Sequence, residues 1–189
     1  MVEPKSRDDI CWFPMYVSYR RELSVKQVLD DKNIENFVPM RTVYKREAKR
    51  VVRREEPAIH NLIFVYSSIN TLSDLKMHQA GCAPMQYMTA KSLDREKPSR
   101  IIIVEESKME QFKKAMGVLD EDSRREFMAW DQEIFGKEGR RIKFVRGDFE
   151  GIEGTIKRVK KNRSLIITLK DIGVLVITIN KASDIEFLD

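Results

Sequence analysis

The sequence is poor in the residues that build metal sites and disulfide scaffolds: its 189 residues include two cysteines, two histidines, eight glycines and six prolines. Cys11 and Cys82 are too few for a disulfide framework and too far apart for a metal knuckle, so they read as buried or idle thiols. His60 and His78 have no cysteine or carboxylate at ligand or triad spacing, and a zinc site needs three or four ligands. Glycine-rich phosphate loops of the Walker or dinucleotide type are missing. The expectation is therefore a chain without catalysis, metal or cofactor, one that works by binding. No apolar run approaches the roughly 20 residues that cross a bilayer. The start, Met1-Val2-Glu3-Pro4-Lys5-Ser6, lacks the basic-then-apolar layout of a secretory signal. Both point to a cytoplasmic protein with no membrane contact.

What is present suits a protein with a real core. Hydrophobic residues make up 42% of the chain and charged ones 34%, a balance that fits one domain or two small ones joined by a linker. The net charge of +5 permits contact with nucleic acid without demanding it, because 30 acidic residues dilute 35 basic ones.

The first half alternates strand-like and helix-like patterns. Cys11 to Tyr19 is aromatic and apolar enough for a buried strand, with Pro14 suggesting an edge or a bulge. Ser24 and Gln27 form a capping box, Leu23 and Val28 sit where a hydrophobic staple closes, and Val25, Val28 and Leu29 share a face. Asn36 to Tyr44 reads as a second strand and His60 to Tyr66 as a third. Between them lies a hairpin arm, Lys45 to Arg54, with six basic residues against the single acid Glu47. A second helix is expected over 71–79, a short strand over 86–89 and a stronger one at Ile101 to Val104. Ser107 and Glu110 then open a trailing helix lined by Met109, Phe112 and Met116. The order is β-α-β-β-α-β, the ferredoxin-like split arrangement, in which helices cover one sheet face and the other stays free for a partner.

From Gly117 to Glu138 the composition turns charged and reads as a linker, in which Phe127, Met128, Trp130, Ile134 and Phe135 suggest a short amphipathic helix. From Gly139 onward five short β-branched runs predict a small closed barrel that stays β. There is no internal repeat and no low-complexity tract. The expected division is therefore 9–117, a linker at 118–138, and 139–189.

The sharpest local signal is Gly147-Asp148-Phe149-Glu150-Gly151-Ile152-Glu153-Gly154, directly after a strand. Gly147, Gly151 and Gly154 permit tight turns at positive φ, and Phe149 can fold back as an apolar plug. This segment resembles the KOW motif of transcription and translation proteins. Trp12-Phe13 in the first strand and Glu56-Pro57-Ala58-Ile59-His60-Asn61-Leu62-Ile63-Phe64-Val65 at the third resemble the N-terminal domain of NusG-type factors. The Pro57 to Val65 stretch looks especially like the UpxY-type paralogues that control capsular polysaccharide operons.

The resemblance implies an α+β NGN domain with an antiparallel sheet, followed by an SH3-like KOW barrel. It implies a monomeric antitermination and elongation factor whose open sheet face docks on the β′ clamp helices of RNA polymerase. By position, Phe13, Ile59, Leu62 and Phe64 would contribute to that docking, with Pro57, His60 and Asn61 shaping the segment. Strand alternation puts Leu62 and Phe64 on one side and Ile63 and Val65 on the other, toward the core. Phe13 reads equally as core or as interface.

Arg20, Arg21 and Lys26 stand where specialised relatives contact non-template DNA, though a solvated helix face explains them as well. Lys45, Arg46, Lys49 and Arg50 of the arm are placed to track phosphates, in DNA or in nascent RNA. Nine basic residues between Arg140 and Arg163 give the barrel a basic face for nucleic acid, or for an acidic patch on a ribosomal or regulatory protein. Two other readings stay open: a housekeeping NusG-type factor, and a ribosome-associated KOW protein that binds RNA.

Overall fold

The computed structural model describes residues 6–47, 50–90, 99–118, 124–129, 132–136, 138–169 and 171–188. Lys49, Trp130 and the charged stretch 120–123, for which the sequence raises expectations, lie outside the described residues. Chain contacts divide the protein into two compact units, Met1–Glu106 and Ser107–Asp189.

In the first unit, β1 (Cys11–Val17) leads through a 3-10 turn (Ser18–Arg20) into α1 (Glu22–Asp31). There follow β2 (Asn36–Phe37), β3 (Met40–Glu47), β4 (Arg50–Pro57), β5 (Leu62–Ser67), α2 (Ile69–His78), β6 (Met85–Tyr87), β7 (Thr89–Ala90) and β8 (Arg100–Ile101). Four strands form an antiparallel sheet in the order β2-β5-β1-β6, the arrangement expected of a split β-α-β fold. Its two central strands are in a register that places Trp12 opposite Tyr66, Phe13 opposite Val65, Pro14 opposite Phe64, Met15 opposite Ile63 and Tyr16 opposite Leu62. Alternation sends Phe13, Met15, Val17, Ile63 and Val65 to one face, where they pack with Val25 and Leu29 of α1 and with Leu72 and Leu75 of α2. Each such side chain contributes about 1.5–3 kcal/mol on full burial.

Several expectations are corrected at the level of elements. Pro14 is buried within the central strand β1 and makes no bulge. Its carbonyl accepts from the Met88 amide at 3.3 Å, and a strand residue directs its amide and carbonyl to the same side. The proline therefore faces the point where β6 has ended, so no ladder bond is lost. The Ser24–Gln27 capping box is not formed: α1 starts at Glu22, and its N-cap Arg21 makes no side-chain cap bond. Leu23 is exposed, so no staple closes over it. Helix α2 is instead capped by Ser68, whose hydroxyl accepts from the Thr71 amide at 3.2 Å. The expected second strand breaks at Val38-Pro39 into β2 and β3, and β3 pairs with β4 as a separate two-stranded hairpin. The run at Ile101 to Val104 is weaker than expected, pairing only at Arg100–Ile101 with β7 and bridging Trp12 through Val104.

The trailing helix α3 (Glu106–Gly117) falls with the second unit apart from its first residue. After it come β9 (Arg125–Met128), α4 (Gln132–Phe135), β10 (Arg141–Phe144), β11 (Glu153–Val159), β12 (Asn162–Leu169), β13 (Gly173–Thr178), a 3-10 turn (Ala182–Asp184) and β14 (Ile185–Leu188). These strands form a six-stranded antiparallel sheet in the order β14-β10-β11-β12-β13-β9. The stretch read as a linker thus supplies an edge strand. Phe127 and Met128 belong to β9 and not to a helix, and Phe127 lies edge-on to Phe112 of α3 at 6.1 Å. Only α4 fulfils the helical expectation, burying Phe135 against Val159, Ile166, Val174 and Val176.

The Gly147 to Gly154 segment is a turn followed by the start of β11. Gly147 and Gly151 both have φ near +81°, a conformation that side chains resist. Gly154 has a different reason to be glycine: a Cβ there would collide with the Ile166 carbonyl oxygen. Phe149 is buried as expected, 5.8 Å from Phe144 and beneath the Arg124 guanidinium at 4.8 Å. Replacement Gly154→Ala is predicted to destabilise the chain by about 1–3 kcal/mol through overpacking. Gly147→Ala, which meets open space, should cost about 1 kcal/mol through strain alone. Thermal melts of the two variants check the order.

Candidate functional site

The face of the first sheet opposite the helices carries Trp12, Pro14 and Tyr16 from β1, and Leu62, Phe64 and Tyr66 from β5. No charged residue stands on this side of either central strand. The Trp12 and Tyr66 rings are 5.1 Å apart, and Phe37 of β2 lies 6.5 Å from Phe64. At one end Trp12, Tyr66, Ile103 and Val104 line a pocket of about 210 Å³ rimmed by Glu105 and Glu106. Burial, with Glu106 and Glu35 nearby, pushes the Tyr66 hydroxyl above its ordinary pKa, so it stays neutral.

The anticipated anchors are less accessible than expected. Phe13 belongs to the core beneath the helices, because it shares parity with Met15 and Val17. Leu62 and Phe64 do share the other face, but they are 4% and 0% exposed, and Pro57 is buried at the end of β4. Ile59 is half-buried. Tyr16, opposite Leu62 and 43% exposed, is the accessible aromatic of this face and was missed by sequence reasoning. Its place next to Val17 in the strand was the only available signal.

His60 and Asn61 turn toward a different group of residues. Asn61 (φ 62°) holds the corner after β1, accepting from the Arg20 amide through its side chain at 2.9 Å and from the Val17 amide through its carbonyl at 2.9 Å. Tyr19 and Arg20 at that corner also have positive φ, 62° and 52°. Such strain persists only where the surroundings enforce it. His60 Nδ1 stands 3.4 Å from Oε1 of Glu22, a carboxylate only 1% exposed. The structure therefore groups His60 and Asn61 with Tyr19, Arg20, Arg21 and Glu22, a set in which the sequence pointed to all but Tyr19 and Glu22.

The candidate nucleic-acid residues stand on two separate elements. Arg20 and Arg21 are exposed before α1, while Lys26 is paired with Asp30 at 2.8 Å one turn along. On the hairpin, Lys45 is held by Glu56 at 3.1 Å, and Arg46 and Arg50 are exposed next to the β3–β4 turn. The basic face expected of the second unit is partly neutralised. Glu153 pairs with Arg141 at 3.2 Å and Lys143 at 3.6 Å, Lys160 with Glu126 at 2.7 Å, and Arg140 covers the Phe187 ring at 3.9 Å.

Burial raises the pKa of both thiols, with Asp9 adding to the effect at Cys11, so neither is a ready nucleophile. Among the described residues no cluster of His, Cys, Asp or Glu is placed to hold a metal, and no helix is long and apolar enough to cross a membrane.

These features place the first unit in the class of mixed α/β domains in which helices back one side of an antiparallel sheet and the other side is apolar. Residues 10–113, more than half of the chain, match the NusG family, described as transcription termination factor nusG. The chain belongs to that family, whose members bind RNA polymerase and act in transcription elongation and termination. A search of curated proteins found no match to the chain.

The hairpin yields a prediction about acid. Hydrogen bonds from Arg41 and Lys45 hold the Glu56 carboxyl below its ordinary pKa. Its contribution to hairpin order is thus complete above the ordinary carboxylate range and is lost as pH falls through the lowered folded value. Amide shifts of Arg41 and Lys45 followed by NMR should report this acid step, and Glu56→Gln should abolish it.

Proposed function

We propose that the chain is a transcription antitermination and elongation factor that docks on the β′ clamp helices of RNA polymerase through the side of its first sheet opposite the helices, at the end where Tyr16 is accessible. The observation that supports this most is the composition of that face: six aromatic or apolar side chains on two central strands, without a charge among them. A sheet face of this kind suits a protein partner, and a few anchors carry most of the energy of such contacts. Tyr16 is the accessible anchor. Leu62 stands opposite it, and the buried Phe64 and Trp12 continue the same side along the strands beside Phe37 and Tyr66.

The factor acts by differential binding, favouring a closed, pause-resistant clamp only by as much as it prefers that state. Arg20, Arg21 and His60 face non-template DNA in this reading, and Arg46 and Arg50 meet the phosphates of upstream DNA. The second unit is read as an SH3-like KOW domain that recruits a ribosomal or regulatory protein. The Pro57 to Val65 stretch favours a role at polysaccharide operons. The protein works as a cytoplasmic monomer, without catalysis or cofactor.

Retention on purified polymerase tests the docking face. Tyr16→Glu is expected to weaken binding at least about tenfold, since placing a charge at an interface anchor costs roughly 2 kcal/mol or more. Full retention by a folded Tyr16→Glu protein would reject this face. A second measurement addresses the hairpin: the double replacement Arg46→Ser, Arg50→Ser should lower the salt slope of DNA binding by about two, roughly one for each phosphate that is no longer neutralised.

A further inference from the structure

Away from Tyr16, the same side of the first sheet ends in a pocket whose chemistry differs from the rest of the face. Tyr16 and Trp12 are four residues apart on β1, roughly 13 Å in an extended strand, and Trp12 stands opposite Tyr66. The Val104 amide donates to the Trp12 carbonyl at 2.9 Å and so fastens the chain after β8 beside the start of β1. That contact brings Ile103, Val104, Glu105 and Glu106 to the two rings, where with Ile10 and Cys11 they enclose about 210 Å³. Trp12 forms the buried back of the pocket, while Tyr66 is half-buried and Ile10, Glu105 and Glu106 are exposed. The groups that a ligand meets first are thus open to it.

In a chain of net charge +5, the surroundings of these rings are acidic. Among the described residues lining the pocket none is basic, and Arg100 and Lys108, the cations nearest the glutamates in sequence, are not part of the lining. A second cleft, of about 450 Å³, shares Ile10 and Tyr66 with the first and is lined by Asp8 and Glu35, again with no base among its described residues. Neighbouring groups respond to the same field. Burial first, then Glu106, raise the pKa of the Tyr66 hydroxyl, and burial first, then Asp9, raise that of the Cys11 thiol. Carboxylates beside an aromatic ring attract cations and repel anions, because the ring face is itself negative.

We infer that this pocket seats the guanidinium of an arginine carried by the protein docked along the face. The inference rests on the docking reading above and names what the partner presents at the end away from Tyr16. A guanidinium is flat enough to lie on the Tyr66 ring and offers forked N–H donors to two carboxylates, whereas an ammonium is a strongly hydrated point charge. A nucleic-acid ligand would instead bring phosphates against Glu105 and Glu106. On a partner helix the distance from Tyr16 corresponds to roughly two turns, so side chains on one helix face reach both places.

The test uses the full-length chain in two measurements. In the first, N-acetylarginine amide is titrated while the Trp12 indole and Tyr66 ring signals are followed by NMR, with N-acetylcitrulline amide and tetramethylammonium as comparisons. The arginine derivative should move both signals saturably, and its neutral isostere should not. Silence toward the arginine derivative, or an equal response to the citrulline one, would overturn the site. An equal response to tetramethylammonium would overturn the forked recognition that selects arginine. In the second, retention on purified polymerase is compared among variants. The double replacement Glu105→Gln, Glu106→Gln should lower it about tenfold and make it less sensitive to salt. Asp74→Asn, which removes an exposed acid from α2 on the other side of the sheet, should leave it unchanged. Undiminished retention by the double variant, or an equal loss in Asp74→Asn, would reject the pocket. Should the double variant fail to fold, Tyr66→Phe and Tyr66→Leu decide: only loss of the ring should weaken binding of the arginine derivative, and equal binding by both would overturn the seat. Failure of the unsubstituted chain to bind polymerase would reject the docking reading and the partner assigned here, while the arginine titration would still report the pocket by itself.

Discussion

The register of β1 against β5 is the constraint on which the first unit depends. Both strands are apolar on both faces, so the pairing of Phe13 with Val65 and of Tyr16 with Leu62 decides which set enters the helix-backed core and which is presented on the other side. A slip of one residue would exchange the two sets completely. It would bring Tyr16 under α1 and α2 and expose Met15 and Ile63. Burial of Phe13, Met15, Val17, Ile63 and Val65 against two helices penalises that slip. The identity of the outer face is therefore a consequence of how well the inner face packs.

The corner after β1 shows a second level of organisation. Three non-glycine residues, Tyr19, Arg20 and Asn61, adopt positive φ there, and the Asn61 side chain ties the β4–β5 loop to the Arg20 amide. The buried Glu22 beneath His60 adds to the same picture, since a carboxylate almost wholly removed from water is costly in a helix first turn unless its surroundings use it. The corner is thus held from two sides, and the residues it turns outward are an aromatic ring and two cations.

Much of this was legible in the sequence wherever period alone decides the answer. The parity of Leu62 and Phe64 against Ile63 and Val65 followed from alternation, and the turn at Gly147 and Gly151 followed from the restricted chemistry of positive φ. What failed depended on partners distant in sequence. The Ser24–Gln27 pattern was a valid local signal, but after the strained corner at Tyr19–Arg20 the helix starts three residues earlier, with Arg21 as its N-cap. Arg125 to Met128 looked like linker because it lies in a stretch whose composition turns charged; only β13, some fifty residues on, makes it a strand. Burial of Leu62, Phe64 and Glu22 was invisible for the same reason, since exposure belongs to the assembled chain and not to a strand. Ser164 escaped notice, because only cross-strand pairing sets it opposite Lys157, which the sequence counted as one cation of a basic face.

Net charge is also redistributed by the fold. An excess of five positive charges over the whole chain suggests a diffuse basic surface. On the hairpin, however, Glu56 binds Arg41 and Lys45 while Glu55 meets Thr42 and Arg53, so the stem is compensated. Arg46 and Arg50 remain exposed beside the turn. In the second unit Glu153 and Glu126 do the same for Arg141, Lys143 and Lys160. Exposed ion pairs of this kind contribute little to stability. Their effect on recognition is larger, because they remove cations from most of the surface. Positive potential is then concentrated at a few places, the hairpin turn and the corner before α1 among them. A polyanion approaching such a protein is directed to particular sites, and the acidic residues that dilute the overall charge are what make that selectivity possible.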